Sequence, residues 1–223
     1  MSQMNLHTTA HDLRRALEAV VLPLNGTSKR AHHLGRVWVE RLDSGTYRFT
    51  AAWNGQWARS YAPSTATAPH SSSAPRPCAI TADDVECILG GLRGHQVEPE
   101  ATVCLRTTDT LLCMEPLGPG ASWRRNAPIR SGQDEPAPAG DFPLPAPAEI
   151  LPLTPALYGG ALAALLGVNA AEWTDHRLSL YAVPNKPHKA AWTLGGWAHG
   201  RVHLPAYQRK HTADLASLAA LAG

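Results

Sequence analysis

Hydrophobic residues near the start of the chain recur every three to four positions, which is the period of an amphipathic helix. These residues are Leu13, Leu17, Val20, Val21 and Leu24. Thr9 stands where an N-cap is expected, and Pro23 cannot continue a helix. The segment therefore predicts one helix that begins after Thr9 and ends near Pro23.

Beyond this helix the hydrophobic period changes to two, the period of a β-strand. Val37 and Val39 alternate with their neighbours, and a second alternating run covers 47–53. Asn54-Gly55 follows that run, and Asn-Gly between two alternating runs is the strongest short hairpin signal. We expect a helix followed by three short antiparallel strands that end near Pro63.

A second segment repeats this order in a shorter form. Thr81 should cap a helix that Gly90-Gly91 and Gly94 break, and a hairpin is expected about Thr108-Asp109. The two segments therefore predict two copies of one small unit. Such a unit cannot bury its own apolar face, so the copies should pair through shared sheets.

A third segment shows the same order again. A helix is expected from Thr154, a strand near Leu178, and a last pair of strands around Gly195-Gly196. Arg177 aligns with Arg36 of the first segment, and similar spacing then leads to the prolines that close both segments.

Most of the nineteen prolines lie in two stretches, 63–77 and 116–155, which should be linkers or surface loops without helix or sheet. We therefore expect an α+β protein with helices packed on antiparallel sheets. Its first domain should cover 1–145, with half units 1–62 and 77–117. A shorter second domain should cover 146–223.

Composition excludes some classes of function but does not identify one. The chain has 223 residues, of which 44% are hydrophobic, and its formal net charge is +2. Charge alternates along the chain, because 1–62 has eight basic and four acidic residues whereas 63–117 has three and seven. No apolar run approaches the length of a membrane span, so we expect a cytoplasmic protein without membrane partners.

Two parts of the sequence resemble the two halves of one domain of the bacterial DNA polymerase sliding clamp, the beta-subunit type. LRRALEAVV followed by LGRVWVERLDSGTYRFTAAWNGQWARSYAP resembles the first half, and ITADDVECILGGL followed by ATVCLRTTDTLLCME resembles the second. Asp141-Phe142-Pro143 stands where such domains often end. WTLGGWAHGRVHLP then resembles the strand hairpin of a following domain.

The resemblance implies DNA-clamp-like repeats and a processivity factor for DNA replication or repair. Such a factor encircles duplex DNA without reading sequence, tethers a DNA polymerase or other replication proteins, and is a homo-oligomer without cofactor or enzymatic activity. The chain corresponds to about one and a half clamp domains, with Thr212–Gly223 as the helix of a further half unit. About four copies would equal the six domains of a family ring. The family's pocket for partner peptides maps to no residues here.

A clamp that slides on duplex DNA needs basic side chains on the helices that line its hole. The candidates are Arg14, Arg15, Lys29, Arg30, Arg209 and Lys210. A solvated helix face accounts for Arg14 and Arg15 equally well. The second helix begins with three carboxylates, and the third has no charge between Thr154 and Val168. The alternative is a clamp-derived protein-interaction module that binds replication proteins without binding DNA.

Other chemistry is poorly supported. A metal site needs three or four ligands, whereas the histidines offer the pairs His7 with His11 and His199 with His203. We expect His7 to precede the helix, and His199 and His203 would lie about 13 Å apart on an extended strand. No nucleophile or phosphate-loop motif is present. Tryptophans interleaved with arginines could stack unpaired bases, but their strand positions favour packing. Four cysteines without a Cys-x-x-Cys pair are expected to be buried packing residues. They are Cys78, Cys87, Cys104 and Cys113.

Overall fold

The computed structural model describes residues 5–24, 35–42, 45–53, 55–65, 77–93, 97–118, 124–130, 178–183, 186 and 189–203. The elements in these residues are β1 (Asn5–Thr9), α1 (Ala10–Val20), β2 (Arg36–Arg41), β3 (Tyr47–Trp53), β4 (Gln56–Ala62), β5 (Cys78–Thr81), α2 (Ala82–Arg93), β6 (Thr102–Thr107), β7 (Leu111–Pro116), β8 (Arg125–Pro128), β9 (Leu178–Ala182), β10 (Lys189–Leu194) and β11 (Ala198–His203).

The strands form two sheets in which all neighbours are antiparallel. One sheet has the order β1-β6-β7-β8, and the other has the order β5-β2-β3-β4-β11-β10-β9. Both helices pack against these sheets. The predicted α+β class with helices on antiparallel sheets is confirmed.

The first two units have the same element order and exchange one strand each. The first unit runs β1, α1, β2, β3, β4, and the second runs β5, α2, β6, β7, β8. β1 leaves its own unit to pair with β6, and β5 leaves its unit to pair with β2. Each sheet therefore contains strands of both units, which is how the two small units bury their apolar faces together.

The third unit extends the larger sheet. β9, β10 and β11 form an antiparallel meander like β2, β3 and β4, and β11 pairs with β4. The predicted last hairpin is confirmed, since β10 and β11 flank Gly195-Gly196. The helix expected from Thr154, the Asp141-Phe142-Pro143 stretch and the C-terminal helix lie outside the described residues.

Capping side chains fix both helix starts. The Thr9 hydroxyl accepts a hydrogen bond from the Asp12 backbone N–H at 3.0 Å. At α2, the Thr81 hydroxyl accepts from the Asp84 N–H at 3.1 Å, while the Asp84 carboxylate accepts from the Thr81 N–H at 3.2 Å. Both predicted N-caps are therefore confirmed, and the second is reciprocal.

Two sequence expectations about chain breakers were wrong. α2 continues through Gly90 and Gly91 to Arg93. Burial of Leu89 and Leu92 in the core offsets the helix penalty of glycine, about 1 kcal/mol each. The second unit also has a third strand, β8, inside the proline-rich stretch 116–155. Pro128 fits there because β8 lies at the edge of its sheet, where a missing N–H is tolerated.

The core forms two hydrophobic clusters. The larger one lies between α1, α2 and the two sheets and includes Leu13, Leu17, Phe49 and Leu89. The smaller one surrounds the fully buried Trp192 and joins the C-terminal end of α1 to the third unit. Neither of the two described helices is long and apolar enough to cross a membrane.

Candidate nucleic-acid interface

The helices α1 and α2 form the helix layer, the part of the fold in which the sequence predicts contacts with DNA. α1 packs on β3 and β4, and α2 packs on β5 and β8, with the two helices also in contact. Arg14 and Arg15 both lie on α1. Lys29, Arg30, Arg209 and Lys210 lie outside the described residues.

Arg14 belongs to an ion-pair network that joins the two helices. Its Nε lies 3.1 Å from Oε1 of Glu18, one turn further along α1. Nε of Arg93, the last residue of α2, lies 3.0 Å from the same oxygen. Arg93 also reaches Glu86 at 3.2 Å. The Glu18 side chain is only 8% exposed, so its charge is balanced by two arginines from different helices.

Arg15 lies against the third unit. Its Nη2 is 2.8 Å from the Asp12 carboxylate, and its guanidinium lies over the ring of Trp197, 4.9 Å from the centroid. Burial lowers the pKa of Arg15, and the charge of Asp12 opposes that shift. Trp197 lies in the turn between β10 and β11. Arg15 therefore contributes to the junction between α1 and the third unit through an ion pair and a cation–π contact.

The charges of the helix layer do not form a basic surface. α1 carries two arginines and two carboxylates, and α2 carries one arginine and three carboxylates, so the two helices together have a net charge of −2. Phosphate approaching Arg14 or Arg15 must compete with Glu18 or Asp12. The ion pairs of this layer hold the two helices together, whereas its negative net charge leaves only a weak attraction for a polyanion.

The sequence predicted Arg14 and Arg15 as a pair on one helix but missed their partners. The spacing of Arg14 and Glu18, four residues apart on a helix, was a readable signal. Arg93 and Trp197 come from distant parts of the chain, and only the fold brings them to α1.

The cysteine prediction was right for three residues and wrong for one. Cys78, Cys104 and Cys113 are buried, whereas Cys87 is exposed on α2. Burial raises the pKa of the Cys78 thiol to about 12. Cys87 follows Glu86 on the outward side of the helix, where no core surface is available to cover it.

No group of three or more metal-ligating side chains occurs in the described part of the chain. His199 is buried between aromatic rings. The Trp57 ring meets it edge-on with centroids 5.4 Å apart, and the Tyr61 ring stacks on it at 6.0 Å. His199 is thus a packing residue of the β4–β11 junction. The His203 side chain lies outside the described residues.

Comparison with solved structures identifies the fold. The chain is similar to the DNA polymerase III subunit beta from Pseudomonas aeruginosa, with a TM-score of 0.55 and 12% identity over 92% of this chain and 67% of that one. The C. crescentus beta sliding clamp gives a TM-score of 0.54 and 14% identity over 93% and 68%. A Helicobacter pylori beta clamp bound to a DNA ligase peptide gives 0.52 and 13% over 92% and 69%.

No protein-family model matches the sequence, and no curated protein matches it. The chain spans about two thirds of the length of the clamp chains that it resembles. The clamp structures that match are only 10–14% identical to this chain in sequence. The resemblance read from the sequence is therefore confirmed at the level of architecture, and the chain has the fold of the bacterial beta sliding clamps.

Proposed function

We propose that this protein is a clamp-like accessory factor of DNA replication or repair. Copies of it join into a ring around duplex DNA and tether a polymerase or another replication protein there. The protein contributes no chemical step of its own and acts in the cytoplasm. The observation that supports the proposal is the fold itself, in which paired units continue one β-sheet across a junction.

We base the proposed contact between two copies on the β4–β11 junction, where strands of two units pair within one sheet. β8 occupies in the second unit the place that β4 occupies in the first. β4 pairs with β3 on one side and β11 on the other, whereas β8 has β7 as its only neighbour among the described strands. Arg124, Arg125 and Asn126 are exposed there. We infer that this edge accepts a strand from another copy, in a head-to-tail contact that can close a ring.

The proposed DNA contacts are weak individually. Arg14 and Arg15 would meet phosphate only in competition with carboxylates, and the remaining candidates are Lys29, Arg30, Arg209 and Lys210. Weak contacts suit a ring because topological linkage, rather than phosphate affinity, keeps a closed ring on DNA. Sequence-independent phosphate contacts also permit sliding.

Replication proteins are the proposed partners. A clamp of this fold has been solved with a DNA ligase peptide bound to it. Short peptide segments of replication enzymes are therefore the class of ligand to test first.

The first test is the mass of the protein in solution over a range of micromolar concentrations. We expect an oligomer, and we expect N126K on the β8 edge to shift the population toward single chains, since a lysine on an edge strand opposes strand pairing. D109K, in the exposed β6–β7 turn, is the matched control and should leave the mass unchanged. A single chain at every concentration would contradict the ring.

The second test is retention on DNA. Protein loaded on a nicked circle should remain bound at salt that removes it from the same DNA after linearisation, because linkage is insensitive to screening. Equal loss from circle and linear fragment would exclude encirclement.

The acidic helix layer favours a second candidate, the interaction module that binds replication proteins without DNA. The net charge of −2 on the two helices repels phosphate, whereas the lining of a clamp must attract the phosphates of DNA. This candidate predicts no topological retention on circular DNA, together with binding of a purified replication protein in the absence of DNA.

A further inference from the structure

The face of the seven-stranded sheet that points away from the helices has a different charge from the helix layer. Side chains alternate along each strand, and residues directly opposite each other on neighbouring strands share a face. Phe49 and Ser60 are opposite each other and face the helices, since Phe49 is in the core and Ser60 bonds to Ala16 of α1. The residues next to them, such as Arg48 and Arg59, therefore point outward.

Four cationic side chains cross this outer face in a single diagonal, which we call the basic diagonal. They are Arg48 on β3, Arg59 on β4, Arg201 on β11 and Lys189 on β10. Each residue of the basic diagonal lies on the strand next to that of the previous residue and two positions further along the strand direction. Such diagonal neighbours are about 7–8 Å apart, so the four charges extend over roughly 20–25 Å. All four side chains are partly exposed.

The register of the strands establishes each step. Arg59 lies opposite Thr50, two residues from Arg48. Arg59 also lies opposite His199, two residues from Arg201. The middle step crosses the β4–β11 junction, so the first and third units each supply half of the diagonal.

Among the described strands of this sheet, one carboxylate faces the basic diagonal. Glu40 is the one carboxylate on the outward face of the described strands of this sheet, and it pairs with Arg48 at 2.6 Å. Burial lowers the pKa of Arg59 and the neighbouring charge of Arg48 lowers it further, while Tyr61 and Glu40 oppose this shift. Like charges held this close favour the binding of a polyanion, which relieves their repulsion.

Tyrosines accompany the basic diagonal. Tyr61 lies directly opposite Arg48, and Tyr181 lies on β9 opposite Ala191, at the level of Arg201. Both tyrosines are partly exposed, whereas Trp57 and His199 between them are buried. The face therefore offers phosphate contacts along a line and aromatic rings beside it, the combination typical of single-strand binding surfaces.

We propose that the basic diagonal binds the sugar-phosphate backbone of single-stranded DNA without sequence preference. An extended strand can lie along the line of partly exposed charges and bring its bases to Tyr61 and Tyr181. A duplex keeps its bases stacked inside and leaves the tyrosines unused. The site lies on the opposite side of the sheet from the helices and needs no ring, so it goes beyond the function proposed above.

The test measures binding of a fluorescein-labelled oligo-dT of about 30 nucleotides by anisotropy over a salt series. Each phosphate contact on a single strand contributes about 0.7 to the slope of log affinity against log salt. Because Glu40 holds Arg48, we count phosphate contacts only from Arg59, Arg201 and Lys189, and three contacts predict a slope of about −2.1. R201Q with K189Q should reduce the slope to about −0.7 and weaken binding at low salt by tenfold or more.

The matched control removes the same charge elsewhere. R106Q with R130Q changes two exposed cations that lie outside the strands of the basic diagonal and should keep the wild-type slope. Thermal unfolding of both double variants shows that they are folded. A third variant, Y181A on the edge strand β9, should weaken oligo-dT binding while leaving the salt slope unchanged, because stacking does not release counterions.

Three results would overturn the proposal. They are absence of oligo-dT binding at low salt, equal loss of slope in the control and in R201Q/K189Q, and tighter binding of a duplex of the same length. Failure of ring formation has no effect on this assay, because a linear oligonucleotide needs no topological linkage.

Discussion

Replacing Gly200 with alanine should destabilise the junction between the first and third units. Gly200 lies on β11, opposite Ala58 of β4 and Trp192 of β10. A methyl group at this position would lie 2.6 Å from Cζ2 and 2.7 Å from Cε2 of Trp192, and it would also overlap the backbone oxygen of Trp57. The effect is steric, since the glycine has no left-handed φ that alanine would have to adopt.

The neighbours of Gly200 cannot easily move. Trp192 is fully buried in the smaller hydrophobic cluster, and the Trp57 oxygen belongs to the backbone of a central strand. Overpacking of this kind typically costs about 1–3 kcal/mol. For a chain of this size each kcal/mol lowers Tm by about 2–4 °C, so we expect a decrease of roughly 2–12 °C.

The assay is thermal and urea unfolding followed by circular dichroism. G196A is the matched control, because Gly196 lies in the turn of the same hairpin and a methyl group there meets no atom within 4 Å. It should change Tm by about 1 °C or less. An unchanged Tm for G200A, or an equal decrease in G196A, would refute the packing of the junction described above.

Further changes test the helix layer and the buried thiols. E18Q removes the charge that balances Arg14 and Arg93 and should lower the free energy of unfolding in urea by about 1–3 kcal/mol, whereas the partly exposed control E86Q should change it by less than about 0.5 kcal/mol. A thiol reagent at pH 8 should modify Cys87 rapidly in the native protein, and C87S should abolish the fast phase. Because burial raises the pKa of Cys78 from 9.0 to about 12, its contribution to stability is complete below pH 9 and is lost as pH rises toward 12. C78A should therefore flatten the loss of stability over that range, and an unaltered slope would contradict the assignment.

Local elements were largely predictable from the sequence. α1, α2 and the hairpins around Asn54-Gly55 and Gly195-Gly196 depend on caps, turns and periodicity within short windows. Their signals are contained in the residues that form them. The resemblance to sliding clamps also predicted correctly that the helices pack on antiparallel sheets.

The strand exchange could not be read in the same way. β1 and β5 have five and four residues, too few for a clear period, and Asn5 pairs with Arg106 about a hundred positions away. β8 was hidden by prolines that an edge strand tolerates. In each case tertiary packing, rather than local preference, decides the structure.

The candidate sites also combine local signals, which the sequence contains, with long-range contacts, which only the fold creates. The helical spacing of Arg14 and Glu18 contained a signal for their ion pair that the sequence prediction missed, and the third member of that network, Arg93, is contributed by another helix. The basic diagonal depends entirely on strand register. Arg48 and Lys189 are far apart in sequence, and a one-residue slip of β11 against β4 would turn Arg201 toward the helices.

The β4–β11 junction connects both faces of the molecule. On the helix side, Ser60 of β4 donates to the backbone oxygen of Ala16, and Arg15 covers Trp197. On the outer side, the same strand pairing sets Arg59 and Arg201 next to each other. Because one register produces both arrangements, damage to the junction core should also disturb the outer face. G200A should therefore weaken oligo-dT binding although it removes no charge, and at a temperature where G200A remains folded, wild-type affinity would show that the basic diagonal does not depend on the junction.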